Sequence, residues 1–246
     1  MDQRAGPGPG SSAPRRADGR TATQLRRYTC DLGLQEQADG SALWQQGGTH
    51  ILAVVHGPTQ PTFGPSARRA DPERAVVQVN VRAKEGIQGH QQKAWQQFVR
   101  KAVEGIVIAK LHPKCLIKVV LQILSEDGAV LACLLSAASA ALVDAGIPLT
   151  TSFVASSCAL SSEGNILLDA SAREEQEAQA VVCAAFAYHL HAPHDEGPSV
   201  GQHAMACDTS GRLSVASLNA LLQATRLSCA QIALLAHASL ADVYKS

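Results

Sequence analysis

The 246-residue sequence predicts an α+β fold, a mixed sheet with helices packed against it, and three observations carry that reading. Short runs with strand periodicity open the chain and recur after residue 150. Between and after them lie segments whose apolar residues repeat at three and four, as on one face of a helix. The order of the two types, strands then helix then strands again, suits a sheet that helices cover.

The first strand is expected at about 26–34 and the second at 41–56, with Asp39-Gly40 as a turn and a break at Gly47-Gly48. Ile51-Leu52-Ala53-Val54-Val55 is continuously apolar and reads as a strand buried on both faces. Four prolines between residues 57 and 73 mark a loop that also carries Arg68-Arg69. From Ala75 to Arg82, Val77, Val79 and Val81 alternate with Gln78, Asn80 and Arg82, the period of a half-buried strand.

A helix is expected over 92–110, because Trp95, Phe98, Val99, Ala102, Val103 and Ile106 share one face and His112-Pro113 stops it. A strand at 116–124 ends in the turn Ser125-Glu126-Asp127-Gly128. The next helix, about 130–145, is apolar nearly all round and belongs in the middle of the core. A hairpin of 150–160 and 164–169 follows. Residues 171–188 are rich in Ala and Glu, which favours helix, while Val181-Val182-Cys183 and Phe186 suit a strand, and local sequence leaves both open. A loop at 189–203, a strand at 203–208 and a helix at 214–242 complete the chain.

The length permits one large domain or two small ones. Apolar residues are 46% and charged residues 17%; Lys and Arg (21) balance Asp and Glu (21), and aromatics are only 4%. These values exclude a disordered chain, a highly basic nucleic-acid binder and a module that stacks bases on aromatic rings. No apolar run reaches the ~18 residues of a membrane span. The N-terminus has no apolar signal region, so the chain is expected to be soluble and intracellular, without a membrane partner. Seven Cys stand singly and suit reduced, packed thiols.

Residues 1–24 read as a flexible arm, with 25–246 as the folded domain. Up to Arg27 the chain carries six arginines against two aspartates, so the neutral whole has a basic head. A solubilising tail and a phosphate-attracting arm both fit it. His189, His191, His194, Asp195, His203 and Cys207 have the composition of a metal site but not the spacing of a zinc motif.

Arg16-Ala17-Asp18-Gly19-Arg20 followed by Gln24-Leu25-Arg26 resembles the RxDGRxxxELR opening of the RNase PH family. Gly40-Ser41-Ala42 through Gln46-Gly47-Gly48-Thr49-His50-Ile51-Leu52-Ala53 is similar to that family's GSxLxxxGxTxVL stretch. Asp127-Gly128, the following helix and Ala141-Leu142-Val143-Asp144-Ala145-Gly146 match its DGG…ALVDAG block, and Gly164-Asn165-Ile166-Leu167-Leu168-Asp169 its VLD segment. Four blocks in register cover nearly the whole chain, which is most similar to the short RNase PH-type subunits of the eukaryotic RNA exosome core.

The resemblance implies a single domain of the ribosomal-protein-S5-domain-2-like fold and a strand at 178–188. It also implies assembly through sheet edges, with other RNase PH-type subunits in a ring or with a second copy as a homodimer, and single-stranded RNA as ligand. Localisation in nucleus, nucleolus and cytoplasm is expected with it. Active members attack the last phosphodiester of RNA with inorganic phosphate. On that pattern Asp169 and Glu175 are the catalytic acids and candidate Mg2+ ligands, and Glu163 supplements them; read without the family, an acidic helix start with Asp169 as its cap is the lesser alternative. Gly128 and Ala129, at a helix N-terminus, are the candidate phosphate site. Active members carry GGTR where this chain has Gly128-Ala129-Val130-Leu131, so phosphorolysis is handicapped. Gln97 aligns with an RNA-binding Arg, and Lys84, Lys93, Arg100, Lys101, Arg68 and Arg69 would hold the RNA backbone. Phe63 and Trp95 are the aromatic side chains available to stack on a base. The expected function is that of an exosome core subunit in 3′-to-5′ RNA processing and degradation with weak phosphorolysis. The alternative is a free-standing Mg2+-dependent nuclease acting on RNA or DNA.

Overall fold

The computed structural model describes residue 16 and residues 18–60, 71–83, 89–189 and 199–245. A five-stranded sheet is ordered β1-β2-β3-β5-β4, from β1 Tyr28–Leu32, β2 Gly40–Gln46, β3 Thr49–Thr59, β4 Val76–Arg82 and β5 Leu116–Ser125. Its pairs are antiparallel except β4 with β5, which run parallel across α1 (His90–Ile106). Parallel neighbours require such a crossover, since a tight turn reverses the chain. A four-stranded antiparallel sheet is ordered β7-β6-β8-β9, from β6 Ser152–Leu160, β7 Ile166–Leu168, β8 Ala180–His189 and β9 Ser199–Gly211.

Helix α2 (Val130–Asp144) lies between the sheets, touching β2 and β3 on one side and β6 on the other, and every residue from Leu131 to Leu142 is buried. This is the all-round apolar helix expected in the core. β6 is buried at all its positions because α2 covers one face and α4 (Val215–Lys245) the other. Ser136 and Ser139 of α2 meet Ala155 and Phe153 of β6, while Thr225 of α4 donates to Cys158 Sγ at 3.0 Å. Four of the seven thiols, Cys133, Cys158, Cys183 and Cys229, are buried, and all seven are free.

The ambiguous stretch divides. Ser171 opens the short helix α3 (Ala172–Glu177) through a capping box with Glu174, and the chain then becomes β8 because Val182 and Ala184 pack in the interior. Residues 178–188 are therefore strand in the main, as the family pattern implied.

Three local expectations need correction. Residues 51–55 are not buried on both faces: Ile51, Ala53 and Val55 are inside while Leu52 and Val54 are half-buried, as an antiparallel strand covered on one side requires. Helix α1 stops at Ile106, well before His112-Pro113. Val107 instead pairs with Leu149, and Ile108 N–H donates to Pro148 O at 3.0 Å, so contact with a distant segment ends the helix. β9 begins at Ser199, earlier than 203, because pairing with β8 extends it. Among the described residues no helix is long and apolar enough to cross a membrane.

Gly40 starts β2 where the end of α2 presses on it. A Cβ there would lie 2.3 Å from Ala145 N and 2.6 Å from Ala141 O, both backbone atoms that hold their place. Gly40→Ala is expected to cost about 3 kcal/mol by overpacking and to lower Tm by roughly 6 °C or more. Gly105→Ala, whose Cβ would enter open space in α1, should gain about 0.5 kcal/mol instead. Thermal unfolding of both variants checks the pair.

Candidate functional site

Asp169 follows β7 in the left-handed region, φ 52°, and is fully buried. Its carboxylate is saturated. Oδ2 accepts the Arg26 backbone N–H at 2.9 Å; Oδ1 accepts Arg26 Nε at 3.0 Å, Arg26 Nη2 at 2.6 Å, and the side-chain amide of Gln46. Arg20 adds a second cation, its Nη1 3.9 Å from Oδ2. Arg26 also donates to Asp127 O, and Cys133 Sγ of α2 donates to Gln46 Oε1 at 2.9 Å. Thr49 Oγ1 donates to Gly128 O at 2.7 Å and accepts from Asp127 N at 2.9 Å. The network therefore ties the chain before β1, the β2–β3 hairpin and the start of α2 to the Asp169 loop.

The N-terminal segment completes the clasp. Arg16, 8% exposed, donates to Leu168 O at 2.7 Å and Asp169 O at 3.0 Å and pairs with Glu174, while Leu168 N–H donates to Ala22 O at 2.9 Å. Of the flexible arm expected over 1–24, Arg16 and residues 18–24 thus belong to the folded body. The basic head is partly internal charge: Arg16, Arg20 and Arg26 face Glu174, Asp18 and Asp169. Burial alone would raise the Glu174 carboxyl, but Arg16 and the Ser171 N–H and hydroxyl overcome it and hold the group at about 2.

Glu175 is the second expected acid, and it sits across from the N-terminus of α2. There Gly128 (φ 74°) and Ala129 (φ 54°) turn the chain into the helix, with Gly128 so close to the Asp169 loop that a Cβ would lie 2.6 Å from Ala170 O. The Ala129 N–H donates to Glu175 Oε1 at 2.8 Å. Burial raises the Glu175 carboxyl above its usual range, against the pull of the Ala129 N–H and Arg26. A cavity of about 470 Å³ opens here, lined among others by Gly128, Ala129, Glu175, Trp95, Ser157 and Asp208.

The structure thus brings Gly128, Ala129 and Glu175 to one cavity and sets Asp169 behind it. Glu163 lies apart, exposed in the β6–β7 turn, where it accepts from Asn165 at 3.2 Å. Lys93, Gln97, Arg100 and Lys101 are exposed on α1, whose Gln91 and Trp95 line the cavity; Lys93, Gln97 and Arg100 follow the helical period on the opposite side. Arg100 is 3.7 Å from Glu104. Lys84, Arg68, Arg69, Phe63, His191, His194 and Asp195 lie outside the described residues; His203 and Cys207 are exposed on β9. Among the described residues no three His, Cys, Asp or Glu side chains could hold a metal ion.

Asp169 and Glu175 do not fit a Mg2+ pair, because arginine and amide donors already use the Asp169 oxygens that a cation would need. At Gly128 and Ala129 one of the N–H groups that a phosphate would use, that of Ala129, is already taken by Glu175. Sequence reasoning missed Gln46 and the inward roles of Arg16, Arg20 and Arg26. The one signal was their place in the blocks shared with the RNase PH family.

Two sheets around a buried helix, with a glycine-led helix start facing an acidic loop, form the frame of a 3′ exoribonuclease domain. Residues 24–148 match the first domain of the 3′ exoribonuclease family, and the chain belongs to that family, RNase PH, whose chemistry is phosphorolytic and uses inorganic phosphate. Among curated relatives it is 37% identical over 163 residues to an exosome complex exonuclease RRP46 homolog of Oryza sativa, 66% of each chain. The corresponding homolog of Arabidopsis thaliana is 34% identical over 187 residues, 76% of this chain and 77% of that one. The crystal structure of rice Rrp46 superposes with a TM-score of 0.80 at 30% identity, covering 92% of this chain and all of the other.

Removing either partner of the buried pair strands a charge. Asp169→Ala and Arg26→Met are each expected to cost about 3–5 kcal/mol, and the double variant clearly less than their sum. Urea unfolding of all three measures the coupling. A lowered folded-state pKa adds stability above the unfolded value and loses it as pH falls through the folded one. The Glu174–Arg16 contact should therefore stabilise fully above pH 4.5 and fade towards pH 2. The stability gap between the wild type and Glu174→Gln, followed by denaturant unfolding across that range, should close accordingly.

Proposed function

We propose that this chain is a core subunit of the RNA exosome, taking part in 3′-to-5′ RNA processing and degradation as a ring-forming, RNA-contacting scaffold without a phosphorolytic centre of its own. The observation that carries the second half is the saturation of Asp169 by Arg26 and Gln46 together with the Glu175 carboxylate on the Ala129 N–H. Val130 and Leu131, where active members resembling this chain carry Thr and Arg, supply neither a hydroxyl nor a guanidinium for phosphate. The family membership and the similarity to RRP46 homologs support the first half. Its partners are other RNase PH-type subunits, and Lys93, Gln97, Arg100 and Lys101 on the outer face of α1 contact the RNA backbone, a sequence-blind interaction.

The test combines assembly and activity. Mixed with the other RNase PH-type subunits, the purified chain should enter a complex of defined stoichiometry, seen as a shift in solution mass. Alone, with single-stranded RNA, it should release no nucleoside diphosphates when phosphate is added and cut nothing with Mg2+. Phosphate-dependent release that Glu175→Gln abolishes would overturn the scaffold assignment. Mg2+-dependent cutting by a chain that stays dimeric and ignores the other subunits would favour the free-standing nuclease.

A further inference from the structure

The cavity at the start of α2 has lost the electrostatics of a phosphate site. Glu126, Glu175 and Asp208 line it, and among the described residues no Lys or Arg does. Among the described residues Glu126 and Asp208 form no ion pair, and Glu175 commits only Oε1, to the Ala129 N–H. A phosphate entering it would face three carboxylates across a partly buried space, where charge is screened less than in water.

A second, independent feature points to a donor-rich ligand. Ser157 is 2% exposed and its Oγ has no hydrogen-bond partner. The next residue, Cys158, faces α4 through Thr225, so strand alternation turns Ser157 to the opposite face of the sheet, beside Cys183, its partner on β8 and also in the cavity wall. A buried hydroxyl without a partner is uncommon and costly, and it is met by a ligand that can donate to it.

We propose that this cavity binds an extended organic cation of the aliphatic polyamine class. The carboxylates come from three separate elements, the loop before α2, α3 and β9, and no three acidic, His or Cys side chains among the described residues converge tightly enough to hold a metal ion. A point dication, which needs its oxygen ligands gathered at 2–2.6 Å, gains little from such a spread. A flexible chain with ammonium groups several bonds apart reaches each acid in turn and donates to Ser157 Oγ. Its methylene segments lie against the apolar part of the lining, which includes Trp95, an indole of the kind that attracts ammonium. A volume of about 470 Å³ falls in the range of small-molecule sites. The proposal concerns the isolated chain and stands apart from ring membership.

Calorimetric titration of the full chain with spermidine at low ionic strength tests it. Saturable binding of one spermidine per chain is expected, with Kd on the order of 0.1 mM. Glu126→Gln with Asp208→Asn, both at exposed side chains, should weaken it roughly five- to tenfold. Ser157→Ala, which removes only the unpartnered oxygen, should weaken it about threefold. Butylamine and Mg2+ should each bind far more weakly than spermidine. Absence of saturable spermidine binding, binding that all three substitutions leave unchanged, or equal affinity for butylamine or Mg2+ would overturn the proposal.

Discussion

The buried pair of Arg26 and Asp169 is the constraint on which the rest of the site depends. Two charges withdrawn from water are costly unless each is paired and hydrogen-bonded, and here each is. Asp169 accepts from Arg26 and Gln46, and the third side of the Arg26 fork reaches Asp127 O. Because these groups come from the chain before β1, the β2–β3 hairpin, the start of α2 and the loop after β7, one carboxylate fixes the relative position of both sheets. Asp169 adopts a left-handed backbone, φ 52°, a conformation that surrounding contacts must hold for a residue with a side chain.

The same arrangement bears on the scaffold role proposed for the chain. A catalytic or metal-binding carboxylate needs free lone pairs facing a reactant, and those of Asp169 face arginine and amide donors inside the protein. An anion site at a helix N-terminus needs free N–H groups, and the one at Ala129 is satisfied by Glu175. The family frame is retained, and at the start of α2 an internal carboxylate meets one of the helix N–H groups. Among the described residues the charged groups that line the cavity are acidic, whereas the cations of α1 lie on its outer face.

Much of the fold was legible because its signals are local. Alternation in Val77, Val79 and Val81, the continuous apolar face of α2 and the proline and glycine punctuation each reflect nearest-neighbour geometry. The errors fell where distant segments meet. Helix α1 ends at Ile106 because Val107 finds Leu149, and β9 lengthens because β8 offers a partner. Within the site, Asp169, Glu175, Gly128 and Ala129 were all singled out, whereas the partners of Asp169 were not, since Arg16 and Arg20 sit in a segment whose composition matches a solvated tail and Arg26 at the start of an expected strand.

The amino-acid sequence alone determined the α+β class, the central position of α2, the family and the loss of the Thr and Arg that would hold phosphate, because those depend on residue types and their spacing. Only the tertiary structure decided which donors the acids meet. Whether a carboxylate is catalytic or structural depends on which donors reach it, and the donors to Asp169 lie 123 and 143 residues away in the chain, beyond any local pattern. Burial then fixes the outcome, because inside the protein a paired charge is held where an unpaired one is not tolerated.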